Sequence, residues 1–295
     1  MNDYIVSCCT SADLSKEYLK SRNIECLSFH YELDGVQHED DFGETISYPD
    51  FYKAMENGAD TRTSQVNQYE YEEYFDKFLS QGKDIIHITL SSGISGSYNS
   101  ARLAMEVMRE KYPDRKIYVV DSLLASSGHG LLADAVADRR DEGMSVDEAY
   151  KWVDEFRYYY HAWFFTTDLT FFIKGGRVSK ASGFIGGVLN ICPLLNMDYM
   201  GRLIPRYKIR TKAKVIRQTV DVVIQHMEGG ADYQGKCFIS HSNCPEDAEA
   251  VKKLLEEKVP ALKGKIQTFY IGTLIGCHTG PGTVAVFFKG DKRVD

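Results

Sequence analysis

Apolar and polar positions alternate along the chain in two different rhythms. Tyr4-Ile5-Val6-Ser7 reads as a short strand, and Thr10-Ser11-Ala12-Asp13 offers capping residues for a helix over 15–19. Residues 25–33 mix apolar and polar positions as a strand does. Phe51, Tyr52 and Met55 fall at helical spacing within 48–57, and Tyr71, Tyr74, Phe75 and Phe78 line one side of a helix over 68–79. The intervening residues 60–66 are polar and read as a loop. Residues 85–90 have the pattern of a buried strand that runs straight into a Ser/Gly-rich stretch at 91–97. A helix over 98–110, a strand over 117–120 and helices over 131–140 and 146–158 follow. This strand–helix rhythm predicts a parallel sheet with right-handed crossovers.

The second half changes character. It offers a strand at 164–167, a turn at Lys174-Gly175-Gly176-Arg177, and an apolar stretch with small residues at 184–191. A hairpin over 194–205 turns at Asp198-Tyr199-Met200-Gly201. An amphipathic helix spans 211–227, and a strand at 237–241, a helix at 245–258 and strands at 268–271 and 284–288 complete the pattern. The expected class is therefore α/β with two domains. Residues 1–160 form an α/β domain on a parallel sheet, and residues 161–295 form an α+β domain. No internal repeat, low-complexity tract or long linker interrupts them.

Composition excludes several functions. The 295 residues are 43% hydrophobic and 26% charged, enough for a core without staples. A formal net charge of -7, with no basic run of five, disfavours nucleic acid and anionic membrane as partners. No stretch approaches the roughly 18 apolar residues of a membrane span. The first residues lack a basic region before an apolar run, so a signal peptide is not expected and a cytoplasmic location is. Seven irregularly spaced cysteines read as free thiols packed as small hydrophobes. Cys237, His241 and Cys244 are the alternative, a metal site, since the first two would share a strand face. A structural zinc site wants four ligands, and no CxxC pair supplies the rest, so no metal is expected.

The stretch Ser91-Ser92-Gly93-Ile94-Ser95-Gly96-Ser97 carries the most chemistry. Amides at a helix start favour anions, the glycines permit close backbone approach, and the serines add donors. An ordinary Ser-rich turn that caps a helix is the plain alternative. The stretch is not GxSxG, not GxGxxG and not a P-loop, so nucleophilic catalysis by Ser95 has little motif support. Thr61, Thr63, Ser64 and Gln65 form a second hydroxyl-rich segment. Arg177 follows a Gly-Gly turn, and His278 sits in the Gly/Pro-rich stretch Gly276-Cys277-His278-Thr279-Gly280-Pro281-Gly282.

Together these segments resemble the DegV family of bacterial fatty-acid-binding proteins. The matching residues are Thr63-Ser64-Gln65, Leu90 through Tyr98, Val119-Val120-Asp121-Ser122, Ile173-Lys174-Gly175-Gly176-Arg177-Val178-Ser179 and Gly276 through Gly282, in order over nearly the whole chain. The resemblance implies that Thr63 and Ser95 hydrogen-bond a fatty acid carboxylate, with Arg177 and His278 close by. It implies a lipid buried at and beyond the domain interface, its acyl chain in an apolar tunnel of the second domain. Residues 184–191 are the candidate tunnel wall, with plain core packing as the alternative. It further implies a long-chain ligand such as palmitate, stearate or oleate, and a separate fatty acid kinase subunit as partner. The chain itself would then be no enzyme, would need no cofactor or catalytic residue, and would not be an integral membrane protein, while transient membrane contact is allowed. The rival is an acyl-transferring or hydrolytic enzyme with Ser95 as nucleophile and His278 as base. The start departs from the family pattern: Ser7-Cys8-Cys9-Thr10 stands where a Thr-Asp-Ser run is usual, so an acidic residue is missing. Val66-Asn67 replaces a common Pro-Ser or Pro-Ala.

Overall fold

Three β-sheets and the helices around them make up the computed structural model, which describes residues 4–179 and 191–294. The first half runs β1 (Tyr4–Cys9), α1 (Lys16–Ser21), β2 (Ile24–Leu27), β3 (His30–Leu33), β4 (Val36–Glu39), α2 (Tyr48–Glu56), β5 (Thr61–Ser64), α3 (Gln68–Leu79), β6 (Asp84–Thr89), α4 (Ser97–Lys111), β7 (Ile117–Asp121), α5 (Ser127–Asp141) and α6 (Val146–Phe156). Strands β2, β1, β6 and β7 lie in that order, all parallel. The central pair is buried on both faces, which is why β6 is apolar without alternation. Helix α1 is capped by the Ser15 side chain rather than by the expected residues 10–13, which form a 3-10 turn that leaves Asp13 left-handed at φ 47°. Asn67 with Glu70, and Ser145 with Glu148, close reciprocal capping boxes on α3 and α6.

The segment expected as a polar loop at 60–66 contains β5. It pairs with β3, which also pairs with β4, in a separate three-stranded antiparallel sheet. Only Thr61 of β5 is buried, so the strand shows no apolar alternation and looks like a loop in sequence. Position 63 thereby gains a fixed register opposite Tyr31.

The second half runs β8 (Tyr160–Phe165), α7 (Thr170–Lys174), β9 (Ile191–Met197), β10 (Leu203–Arg210), α8 (Lys212–His226), β11 (Cys237–His241), α9 (Pro245–Lys258), β12 (Gln267–Tyr270), α10 (Thr273–Thr279) and β13 (Val284–Lys289). Six strands take the order β10-β9-β8-β13-β11-β12, antiparallel except for β11 and β12. Their outer face packs with α8 and α9 around Val284, Val286 and Phe288. The opposite face joins residues of the first half, among them Leu131 and Val136 of α5, in one continuous core. The stretch at 276–282 is not wholly a loop, because its first four residues end α10. A side chain on Gly276 would meet the Tyr52 hydroxyl at 2.7 Å, so glycine lets this helix pack closely on α2.

The expected hairpin joins β9 to β10, and its turn at 198–201 is pressed onto the Ser-rich loop before α4. Ser91 Oγ donates to the Gly201 carbonyl at 2.8 Å, and the Asp121 carboxylate accepts from the amides of Ser92 and Leu123. Buried Arg293 donates to the carbonyls of Leu123, at 3.1 Å, and Asp198, at 2.7 Å. A Cβ on Gly93 would lie 2.6 Å from the carbonyl oxygens of both Met200 and Gly201. These are backbone atoms that cannot rotate aside. The Gly93→Ala variant is therefore expected to lose about 1–3 kcal/mol of stability through overpacking, read as a lower urea midpoint. An unchanged midpoint would show that this turn yields freely.

Candidate functional site

An internal cavity of about 230 Å³ lies between the Ser-rich loop, α10 and the inner face of the six-stranded sheet. One water needs only about 10–15 Å³ of such space, so this is a compartment and not a packing flaw. Its apolar wall comes from alternate residues of adjacent strands: Ala162 and Phe164 on β8, Met197 on β9, and Ala285 and Phe287 on β13. Phe164 pairs with Ala285, and Ala162 with Phe287. Each ring thus faces a methyl across the ladder, which leaves open volume. Phe172 of α7, stacked on Phe164 at 5.9 Å, and Leu274 and Ile275 of α10 extend the wall. The proposed wall at 184–191 falls outside the described residues except for Ile191.

The polar end assembles all four of the expected head-group residues: Thr63, Ser95, Arg177 and His278 line the same cavity. Thr63 Oγ1 lies 2.9 Å from His278 Nε2. Ser95 Oγ accepts from the Ser97 amide at 3.2 Å, which leaves its hydroxyl proton available. Arg177 follows a helix end closed by Gly176 at φ 72°, and its guanidinium donates to the Gly175 carbonyl. Burial lowers the Arg177 pKa from its ordinary value. Burial, and then the charge of Arg177, push His278 down to about 4, so its ring is neutral near pH 7. A Cβ on Gly175 would meet His278 Nδ1 at 2.4 Å, and one on Gly96 would meet Gln65 Oε1 at 2.6 Å. Both glycines let backbone close on the site.

Three buried polar atoms here have no partner: His278 Nδ1, Thr279 Oγ1 and Thr283 Oγ1. Thr279 and Thr283 line the cavity too. Buried groups of this kind are few in folded proteins and call for a cause. A ligand oxygen at this end would supply a partner for the two threonine hydroxyls. Thr283, Thr279 and Ser126 were not singled out as site residues from sequence. Only their nearness to the Gly/Pro stretch and to Asp121-Ser122 hinted at it.

Buried carboxylates hold this end in place. Asp13 Oδ1 accepts from the Gly272 amide at 2.9 Å, its Oδ2 from Ser126 Oγ, and its carbonyl from Ser127 Oγ at 3.0 Å. Asp40 Oδ1 accepts from Thr273 Oγ1 at 2.9 Å. Burial raises the pKa of both, Asp40 to about 6. Cys9, in the stretch that lacks the usual acid, is fully buried outside the cavity lining. Its Sγ sits 3.4 Å from the Tyr71 hydroxyl and 3.5 Å from His87 Nε2. Burial pushes the thiol up and holds His87 at about 3, so both are neutral.

The rival chemistries are poorly served. The His278 nitrogen with a hydroxyl partner faces Thr63 rather than Ser95, and Nδ1 has no carboxylate to orient it. Cys237 and His241 stand four residues apart on β11, a separation of roughly 13 Å that one ion cannot bridge. Cys244 Sγ donates to the Thr283 carbonyl at 3.3 Å. The described cysteines are all free thiols.

The family model described as "Uncharacterised protein, DegV family" matches residues 10–291. A DegV domain-containing protein of Clostridium perfringens is 35% identical over 295 residues, covering 99% of each chain. The crystal structure of a DegV lipid-binding protein from Thermotoga maritima superposes with a TM-score of 0.83 at 25% identity, over 99% of this chain and 100% of that one. A stearic acid-binding protein from Eubacterium ventriosum superposes with a TM-score of 0.87 at 24% identity, over 97% and 98%.

The buried Asp40 makes a pH prediction. Its carboxyl titrates at about 6 when folded and near 3.9 when unfolded. Its contribution to stability is then full below about 4 and is lost as pH rises through about 6. Asp40→Asn can keep the acceptor for Thr273 and removes this loss. The variant should gain stability relative to the parent between pH 4.5 and 7.5, on the order of 2 kcal/mol, in paired urea titrations. A difference that does not change with pH would contradict the assignment.

Proposed function

The chain belongs to the DegV family, and on that premise we propose that it binds one long-chain fatty acid and presents the carboxylate to a separate fatty acid kinase. The observation that carries this reading is a single cavity with an apolar wall at one side and unpartnered polar atoms at the other. The Thermotoga maritima protein of this fold is a lipid-binding protein, and the Eubacterium ventriosum protein binds stearic acid.

We take the ligand to be an amphiphile of about 16 carbons, such as palmitate, with stearate and oleate close to it in size. Each buried methylene contributes roughly 0.8 kcal/mol. A carboxylate taken from water needs compensating donors. In this reading Thr63 and Ser95 donate hydroxyl hydrogen bonds, neutral His278 gives its one N–H, at Nε2, to the Thr63 hydroxyl oxygen, and Arg177 supplies a nearby cation. The chain carries no phosphate-binding GxxxxGK[ST] run, so phosphoryl transfer belongs to the partner. The carrier needs no cofactor and no catalytic residue of its own. His278 turned toward Thr63 favours this carrier over the Ser95 hydrolase. Among the described residues no helix is long and apolar enough to cross a membrane. We place the carrier in the cytoplasm, where an ATP-dependent kinase works, with transient membrane contact for loading.

Two experiments test the reading. Protein purified from a bacterial host should release about one free fatty acid per chain on denaturation, without a covalent adduct on the intact mass. Thr63→Ala and Ser95→Ala should each weaken palmitate binding by roughly 1.5–3 kcal/mol, the worth of a charge-assisted hydrogen bond, with little change in the apo melting point. No lipid and no uptake of added palmitate would sink the carrier, and an acyl adduct on Ser95 would install the hydrolase instead.

Arg177 and His278 are assigned mainly to the handover. A cation beside the head group stabilises charge as the phosphoryl group arrives, without fully quenching the carboxylate nucleophile. Arg177→Ala and His278→Ala should therefore reduce acyl-phosphate formation with a cognate kinase more than they reduce lipid affinity. Full turnover at saturating lipid would reassign the residue to simple ligand binding.

A further inference from the structure

We propose that His161, His226 and Asp291 form a site for one divalent transition-metal ion of the zinc type, on the face of the six-stranded sheet opposite the lipid cavity. His161 is the second residue of β8, His226 the last of α8, and Asp291 lies just beyond β13. Their ligand atoms all lie within 4.8 Å of one another, the one such group of three among the described residues. Asp291 Oδ1 is 3.1 Å from both His161 Nε2 and His226 Nδ1. Metal bonds of about 2.0–2.1 Å place neighbouring ligand atoms roughly 2.9–3.4 Å apart, from octahedral to tetrahedral geometry. The observed separations are already those of a coordination edge.

The surroundings hold the ligands in place. The His161 ring stacks between Phe288, at 5.2 Å, and His226, at 5.4 Å, and His226 also stacks on Trp163 at 5.6 Å. A Cβ on Gly290 would lie 2.1 Å from the His226 carbonyl and 3.1 Å from His161 Cδ2. Glycine is what lets the chain turn close enough to deliver Asp291. His161 Nε2 also lies 2.7 Å from the Asp291 main-chain oxygen. In the metal-free protein that nitrogen donates its hydrogen there, and the ion takes the place of this proton.

Two imidazoles and one carboxylate suit zinc, cobalt or nickel rather than magnesium or calcium, which prefer oxygen ligands. Three protein ligands leave coordination positions open. They face a cavity of about 180 Å³ lined by Asn196, Arg206, Tyr207 and Lys292. The cations there favour water-derived hydroxide or another small anion as the remaining ligand. Arg293 lines the same cavity, and its guanidinium donates to the carbonyls of Leu123 and Asp198. The ion would tie β8, α8 and the C-terminal tail together. The three residues stand 65 positions apart in sequence, so no local motif announces them.

The full chain, stripped with chelator, is titrated with ZnCl₂ by calorimetry and with CoCl₂ by absorption. The expected result is one saturable ion per chain, cobalt d–d bands without a thiolate charge-transfer band, and a raised melting point. His226→Ala and Asp291→Ala replace partly and largely exposed side chains, at 29% and 61%. Each should weaken zinc binding at least tenfold while the metal-free melting point stays near that of the parent. No saturable uptake would overturn the proposal. Uptake that persists undiminished in both variants, or a thiolate band, would place the ion on cysteines and overturn it equally.

Discussion

The carboxylate of Asp13 joins three segments that are far apart in sequence, and the polar end of the cavity hangs from it. Its two oxygens and its own carbonyl receive Gly272, Ser126 and Ser127. One group thereby positions the end of β1, the start of α5 and the start of α10, the helix that carries His278. An ionised carboxylate in such a place is costly, and hydrogen bonds to it offset only part of the desolvation. Asp40 repeats the device one residue along α10, through Thr273. The helix has no side-chain N-cap of its own, so these two acids fix where it begins. A pocket with unpartnered polar atoms requires such a frame to hold those atoms apart.

The two faces of the six-stranded sheet explain how an open cavity and a stable core coexist. On β13, Val284, Val286 and Phe288 belong to the core under α8 and α9, whereas Ala285 and Phe287 face the cavity. The strand is apolar at both parities. Stability is concentrated on one side, and the other is spared the close packing that would fill it. The offset of phenylalanine against alanine across β8 and β13 does the rest.

Much of the architecture followed from pattern, and the exceptions share a cause. Helices α2, α3 and α9, strands β6 and β11, and the β9–β10 hairpin stand close to where periodicity put them, because each is long or bounded by turn chemistry. Strand β5 was missed because Thr61, Arg62, Thr63 and Ser64 are all polar and carry no apolar signal. The start of α10 was missed because its glycines and buried carboxylate partners lie in tertiary contacts. The grouping of Thr63, Ser95, Arg177 and His278 at one cavity came from motif resemblance rather than local chemistry, since a hydroxyl and a histidine 215 positions apart cannot be paired by reading along the chain. Thr279 and Thr283 could not be ranked as site residues at all, because what distinguishes them is the absence of a partner in three dimensions.

The last strand of the chain is an inner one: β13 lies between β8 and β11. During synthesis the two sides of the six-stranded sheet therefore exist without the strand that joins them, and their edges stay open until residues 284–289 have been made. Exposed strand edges are templates for wrong pairing, and long-range pairings are slow to form. The nascent chain also lacks Ala285 and Phe287, hence part of the cavity wall, until that moment. Closure of the sheet and completion of the compartment become one event, so a product truncated before β13 is left with neither a finished fold nor a complete cavity.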